Sequence, residues 1–192
     1  MRLLIAIAAA STMLVAANAQ PESAGEATAV LAGGCFWCVE SDFEKLVGVT
    51  AAVSGYSGGD LENPTYENHE GHLEAVEVTY DPSIISYRQL VDNLLRHIDP
   101  LDAGGQFCDR GSSYTSAIFV ADDEERAAAE AAVAEAEKVL GEKIATPIRQ
   151  RGTFWVAEDY HQDYYKKNSL KYHFYRTACG RDGRVKKLWG GR

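Results

Sequence analysis

Between residues 27 and 46 the hydrophobic period changes in mid-run. Ala27-Thr28-Ala29-Val30-Leu31-Ala32 is a short apolar stretch closed by Gly33-Gly34, the form of a buried strand that ends in a turn. Immediately afterwards Phe36, Val39, Phe43 and Leu46 recur at three and four residues, which is helical spacing from Cys35 to Leu46. A buried strand that hands over to a helix through two glycines limits what can follow. Val49 to Tyr56 reads as a strand, residues 57–71 as a long polar loop, and Leu73 to Tyr80 as a second strand mixing apolar and acidic positions. Ser86-Tyr87-Arg88-Gln89 is a capping box opening a helix to about His97. A second irregular loop, 99–113, leads into a strand over Tyr114 to Val120. The order β-α-β-β-α-β is that of a split β-α-β unit. The expected fold is therefore α+β, a ferredoxin-like two-layer sandwich.

Beyond this unit, Asp122 to Glu125 caps an alanine-rich helix that stops at Gly141, most simply a packing helix with a solvated acidic face. Ile144 to Ile148 and Thr153 to Val156 read as two more short strands and Glu158 to Lys167 as a final aromatic helix. The rest reads as an irregular C-terminal tail whose basic segment, Arg181 to Lys187, is a solvated terminus. The two long loops exceed what a compact domain usually carries without a function, so a site is expected there.

The N-terminus has its own logic. Arg2, a short apolar core and Ala17-Asn18-Ala19 describe a secretory signal peptide, residues 1–19, cut after Ala19. A membrane anchor fits less well, because Ser11-Thr12 interrupts an apolar stretch already short of the roughly 20 residues a span needs. The expectation is an exported protein, periplasmic or secreted, with 20–26 a flexible mature N-terminus and 27–192 one catalytic domain. Cleavage removes Arg2, leaving 18 Lys+Arg against 28 Asp+Glu, a net charge of −10. That balance argues against a nucleic-acid surface and against an anionic membrane. A monomer is expected.

Four cysteines remain: Cys35, Cys38, Cys108 and Cys179. Two structural disulfides in an exported module are the plainest reading. A bridge between Cys35 and Cys38 would constrain the unfolded chain little, however, and a chain of this length holds a core without staples. The Gly-Gly turn puts Cys35 at a helix N-terminus, where free N–H groups and the dipole favour a thiolate, so it is a nucleophile candidate. Zinc is a poor fit, since no second CxxC or close Cys-His pair is present, and no metal is expected. A thioredoxin-like pair fits better, although Phe36 and Trp37 between the cysteines suggest a small apolar pocket.

Further segments carry a resemblance. Gly34-Cys35-Phe36-Trp37 with Glu40, Gly55-Tyr56-Ser57-Gly58-Gly59, Asn63-Pro64-Thr65-Tyr66, Gly71-His72-Leu73-Glu74-Ala75-Val76, Tyr80-Asp81-Pro82 and Asp109-Arg110-Gly111-Ser112-Ser113-Tyr114 closely resemble the A-type peptide methionine sulfoxide reductases. The likeness spans about Ala27 to Cys179. It implies reduction of methionine S-sulfoxide, free or in oxidised proteins, with no bound cofactor and an external thioredoxin-like thiol reductant. It also implies Cys35 as nucleophile, Phe36 and Trp37 as the S-methyl pocket and Glu74 as the acid for the sulfoxide oxygen. Tyr56 and Tyr114 would hydrogen-bond that oxygen, and Asp109 would support the polar side. A buried carboxyl can stay protonated near neutral pH, as that role needs. A second thiol would condense the resulting sulfenic acid to a disulfide. Thr177-Ala178-Cys179-Gly180 fits the family's resolving position, but members often have Gly at the place of Cys38 and Asn at that of Cys108. Cys179, Cys38 and Cys108 are therefore all candidates, and a thiol-disulfide oxidoreductase using Cys35-Cys38 is the alternative function. His72 and Asp159-Tyr160-His161-Gln162, which echo family segments, are expected to support the site rather than react.

Overall fold

The computed structural model describes residues 25–190, so the expected signal peptide and most of the 20–26 segment lie outside the described residues. Strand β1 (Ala27–Gly33) is followed by helix α1 (Phe36–Phe43), β2 (Val49–Ser57), β3 (Leu73–Tyr80) and α2 (Tyr87–His97). The loop after α2 holds a tiny hairpin, β4 (Gly105–Gln106) and β5 (Asp109–Arg110), and leads through a 3-10 turn at Ser112–Tyr114 into β6 (Ser116–Val120). Strand β6 pairs with β1, β1 with β3 and β3 with β2, all antiparallel, which is the ferredoxin-like order. Two short strands extend the edges: β7 (Ile148–Gln150) runs parallel beside β6, and β8 (Phe154–Val156) antiparallel beside β2.

The pleat sorts side chains between two faces. Leu31, Val76 and Val78 face α1 and α2 and meet Phe36, Val39, Phe43, Leu90 and Leu94 in the main core. Val30, Ala32, Leu73, Ala75, Ala117 and Phe119 form a smaller cluster on the other face. Glu74 has the parity of Val76 and Val78, so its carboxyl enters the helix-covered side of the sheet. Tyr56 is its direct cross-strand partner. Ser86 and Gln89 cap α2 reciprocally, as its sequence indicates. Helix α3 (Asp123–Leu140) buries Ala129, Ala132 and Ala136, one narrow stripe that lets it lie close against α2.

Several boundaries differ from the sequence expectation. Helix α1 stops at Phe43 rather than Leu46, because the chain reverses through Gly48, at φ +98, into β2. Tyr114 belongs to the 3-10 turn and not to β6. Strand β7 begins only at Ile148, since Pro147 has no N–H for a ladder. The aromatic helix expected from Glu158 shrinks to α4 (Tyr164–Lys167): Asp163 sits at φ +54, and its N–H donates to Glu40 Oε1 at 2.6 Å instead of entering a helix.

The largest correction concerns the C-terminal tail, which is helical and not irregular or merely solvated. Helices α5 (Ser169–Ala178) and α6 (Arg181–Trp189) are pinned by three arginines. Arg176 pairs with Asp42 at 2.9 Å, Arg184 with Asp99 at 2.6 Å, and Arg181, only 2% exposed, donates to the carbonyls of Gly33 at 3.0 Å and His97 at 2.9 Å. The Gly33-Gly34 turn is thus clamped from below by the tail and from above by the hairpin. Gly34 has φ +80, and a Cβ there would lie 2.5 Å from Gln106 Cβ. Gly34→Ala is expected to cost about 2 to 4 kcal/mol, combining left-handed strain with overpacking, seen as a lowered melting temperature in calorimetry.

Candidate active site

The turn delivers Cys35 as the residue preceding α1, and its carbonyl accepts the first helical bond, from Cys38 N–H at 3.1 Å. Beside it the N–H of Phe36 donates to Glu74 Oε2 at 2.9 Å, a buried bond from helix start to sheet. Cys35, Phe36, Trp37 and Glu74 form one wall of a cleft of about 100 Å³. Asp109, Tyr114, Tyr66 and Tyr175 close the other side. This volume suits a small group rather than a drug-sized ligand.

The structure therefore gathers six of the residues singled out from sequence: Cys35, Phe36, Trp37, Glu74, Asp109 and Tyr114. Tyr56 stands one layer back, its ring 5.9 Å from that of Phe36 and its hydroxyl donating to Glu158 Oε2 at 3.0 Å. Two lining residues had no role assigned from sequence. Tyr66, in the Asn63-Pro64-Thr65-Tyr66 segment, hydrogen-bonds with Tyr114. Tyr175 comes from α5; its hydroxyl donates to Asp109 Oδ2 and is in hydrogen-bond contact with the Cys35 thiol. The only sequence signal for Tyr175 is its place one helical turn before Cys179.

Burial sets the charges. Glu74, 2% exposed, is pushed up to about 8 by desolvation, with Asp109 adding to the effect and the Phe36 N–H opposing it. Cys35 does not behave as its helix-terminal place suggests: desolvation raises its thiol well above the usual range, and contact with Cys38 adds to that. Cys38 is lowered to about 7, mainly by the hydrogen bond from Cys35 and then by the nearby Arg181 and Arg176. Burial and mutual contact thus push the two thiols in opposite directions, Cys35 up and Cys38 down. Expectation and structure differ because the helix end is a modest influence and full desolvation a strong one.

An aromatic layer holds Trp37. Its indole stacks on Tyr164 at 3.7 Å between centroids, and its Nε1 donates to His161 Nδ1 at 3.1 Å. Nδ1 accepts, so the neutral ring carries its hydrogen on Nε2. Burial lowers the His161 pKa, consistent with that neutral form. His72 is also structural: its ring nitrogens meet Gly59 N–H at 3.3 Å and Leu61 carbonyl at 2.9 Å, holding the 57–71 loop.

Outside the cleft Cys108 and Cys179 form a disulfide, while Cys35 and Cys38 are free and buried. Cys108, Asp109 and Cys179 bring ligand-type atoms within 4.8 Å of one another, as do Glu40, Glu44 and Asp163. In the first group both sulfurs are bonded to each other. In the second the carboxylates already accept from Ser54, Asp163 N–H, Tyr165 and Lys166.

A buried dithiol facing a neutral carboxyl in a small cleft, with a disulfide at its rim, defines a thiol-dependent oxidoreductase. Residues 27–192 match the family model described as peptide methionine sulfoxide reductase, and the chain belongs to that family, in its A-type branch. It is 48% identical over 182 residues to peptide methionine sulfoxide reductase MsrA 2 of Rhizobium meliloti, covering 94% of this chain and 89% of that one. It is 46% identical to the MsrA 2 of Caulobacter vibrioides over the full length of both. Among solved structures, reduced Mxr1 from Saccharomyces cerevisiae superposes with a TM-score of 0.71 at 28% identity, covering 82% of this chain and 93% of that one. Methionine sulfoxide reductase A of Corynebacterium diphtheriae gives 0.67 at 31%, covering 79% and 78%. The chain's reaction is reduction of methionine sulfoxide to methionine.

The Glu74 shift has a thermodynamic signature. In the unfolded chain this carboxyl ionises near pH ~4.3, but in the fold it keeps its proton up to about 8. Across that window the folded state binds more protons than the unfolded one, so stability falls as pH rises. Glu74→Gln keeps the acceptor for Phe36 N–H and removes the titration. Urea denaturation at about pH 5 and about pH 8 should show the stability difference shrinking by a few kcal/mol in the variant.

Proposed function

We propose that the chain acts on the S epimer of methionine sulfoxide, free or in oxidised proteins, with Cys35 as nucleophile and Glu74 as acid. The observation that carries this assignment is the Phe36 N–H bond to Glu74, which sets a protonated carboxyl beside Cys35 in one cleft. Phe36 and Trp37 supply the apolar side for the S-methyl group, and Tyr66, Tyr114 and Asp109 the polar side. Tyr56, cross-strand from Glu74, packs against Phe36 with its hydroxyl donating to Glu158 and is assigned to the same polar side. The Cys35 proton passes to Cys38, the Cys35 sulfur attacks the sulfoxide sulfur, and the oxygen takes protons from Glu74 and Cys38 and leaves as water; water then attacks the Cys35 sulfur, the new S–S bond breaks to free methionine, and the released proton returns to Glu74. The sum is one thiol and one sulfoxide giving one sulfenic acid and methionine.

The reductant proposed is a thioredoxin-like protein. Mxr1 is also solved in complex with Trx2, and in this chain Cys108 offers an exposed sulfur for such an exchange. Export after removal of residues 1–19, one catalytic domain over 27–192 and a monomeric state complete the reading. N-terminal sequencing of protein recovered from the producing cells should find Gln20 first.

With dithiothreitol and a peptide carrying each sulfoxide epimer, the S form should be reduced and the R form left intact; Cys35→Ser should give no product. Loss of the acid in Glu74→Gln should lower kcat by about 10²-fold or more. Turnover should decline as pH rises through about 8, where Glu74 ionises, and this limb should vanish from the residual profile of Glu74→Gln.

A further inference from the structure

Four cysteines are two more than a sulfenic acid and one resolving thiol require, and the structure divides them unequally. Cys35 and Cys38 are 5% and 1% exposed, reduced and in hydrogen-bond contact. Cys108 is exposed, Cys179 half-buried, and they are bonded to each other across 71 residues of chain. A thiol inside the first turn of a helix, three residues after one at its cap, is placed for a disulfide with it. Here that inner thiol also touches Tyr172 and lies near the cations of Arg181 and Arg176. The contacts leading from Cys35 to the outer pair run instead through Tyr175 and Asp109.

We propose that Cys38 is the resolving thiol, forming a Cys35–Cys38 disulfide inside the protein, and that Cys108 and Cys179 are a second dithiol that then takes this oxidation to the surface. The proposal rests on Cys35 being the nucleophile for methionine sulfoxide. In the first step Cys38 sulfur attacks the sulfur of the Cys35 sulfenic acid; the S–O bond breaks, and hydroxide leaves with the thiol proton as water. In the second, one outer thiolate attacks the inner disulfide to give a mixed disulfide, and its partner displaces the inner thiol. Cys35 and Cys38 end as thiols and Cys108–Cys179 as the disulfide. That product is the arrangement seen in the structure: an oxidised outer pair beside a reduced inner pair ready for a second sulfoxide.

The geometry favours this order. Cys38 is already in hydrogen-bond contact with Cys35, whereas Cys179 sits one turn of α5 beyond Tyr175, about 5.4 Å along the axis. An external protein reductant, in turn, meets Cys108 at the surface and has no access to thiols 5% and 1% exposed.

The decisive variant is Cys108→Ser/Cys179→Ser, which leaves only the inner pair. Fully reduced, freed of reductant and given excess peptide methionine-S-sulfoxide with dimedone present, it should release about one methionine per chain, lose both thiols and carry no dimedone. Dimedone on Cys35 with Cys38 still open to alkylation overturns the proposal. As a control on folding, the chain with all four cysteines should release about two methionines per chain and end with two disulfides and no adduct. With Cys38→Ser it should release about one, end with dimedone on Cys35 and keep both outer thiols reduced; about two methionines, or an adduct-free Cys38→Ser chain, would again overturn the proposal. Absence of methionine from every form would remove the nucleophile assignment itself, a different failure from methionine release with a trapped sulfenic acid.

Discussion

One hydrogen bond, from the N–H of Phe36 to the carboxyl of Glu74, joins the start of α1 to β3. Most of the site follows from it. It fixes how far the helix start stands from the sheet, and so where Cys35 lies relative to the only carboxyl on that apolar face of β3. It also leaves one oxygen of Glu74 engaged and the other free for a proton. The bond opposes the raised pKa but does not reverse it: a single backbone donor is worth about 1 to 3 kcal/mol to a charge, while burying the charge costs several. The outcome is an acid that is positioned and neutral at once.

The same competition explains the thiols. A helix N-terminus stabilises an anion by about 0.3 to 1 kcal/mol, and up to about 2 in favourable settings. Cys35 is too deeply buried for that to prevail, so its thiol is raised, while Cys38, one turn inward near two guanidinium groups, is lowered. A sequence shows that a cysteine caps a helix. It does not show how much water the tertiary structure removes from it.

Much of the fold was legible in periodicity. The strand, double glycine and helix at residues 27–46, the acidic-apolar alternation of β3 and the capping box of α2 all recur in the structure, in ferredoxin-like order. Glu74 could be placed on a buried face because it shares parity with Val76 and Val78. What escaped was held by long-range polar contacts. Helices α5 and α6 look like a basic, solvated tail because their anchors are arginines, and nothing local says that Arg181 reaches the carbonyl of Gly33, 148 residues earlier in the chain. Tyr175 was missed for the same reason, as was the bond of the Tyr56 hydroxyl to the distant Glu158. The pairing of Cys108 with Cys179 likewise depends on the tail folding back over the loop.

That fold-back has a mechanical side. Tyr175 and Cys179 ride on one rigid helix, a single turn apart, so the wall of the cleft and the outer sulfur cannot be repositioned separately. Any tilt or withdrawal of α5 that frees Cys179 from Cys108 also drags the Tyr175 hydroxyl away from Cys35 and Asp109. Opening the disulfide and widening the cleft therefore involve the same helix, which the Arg176–Asp42 pair ties to α1.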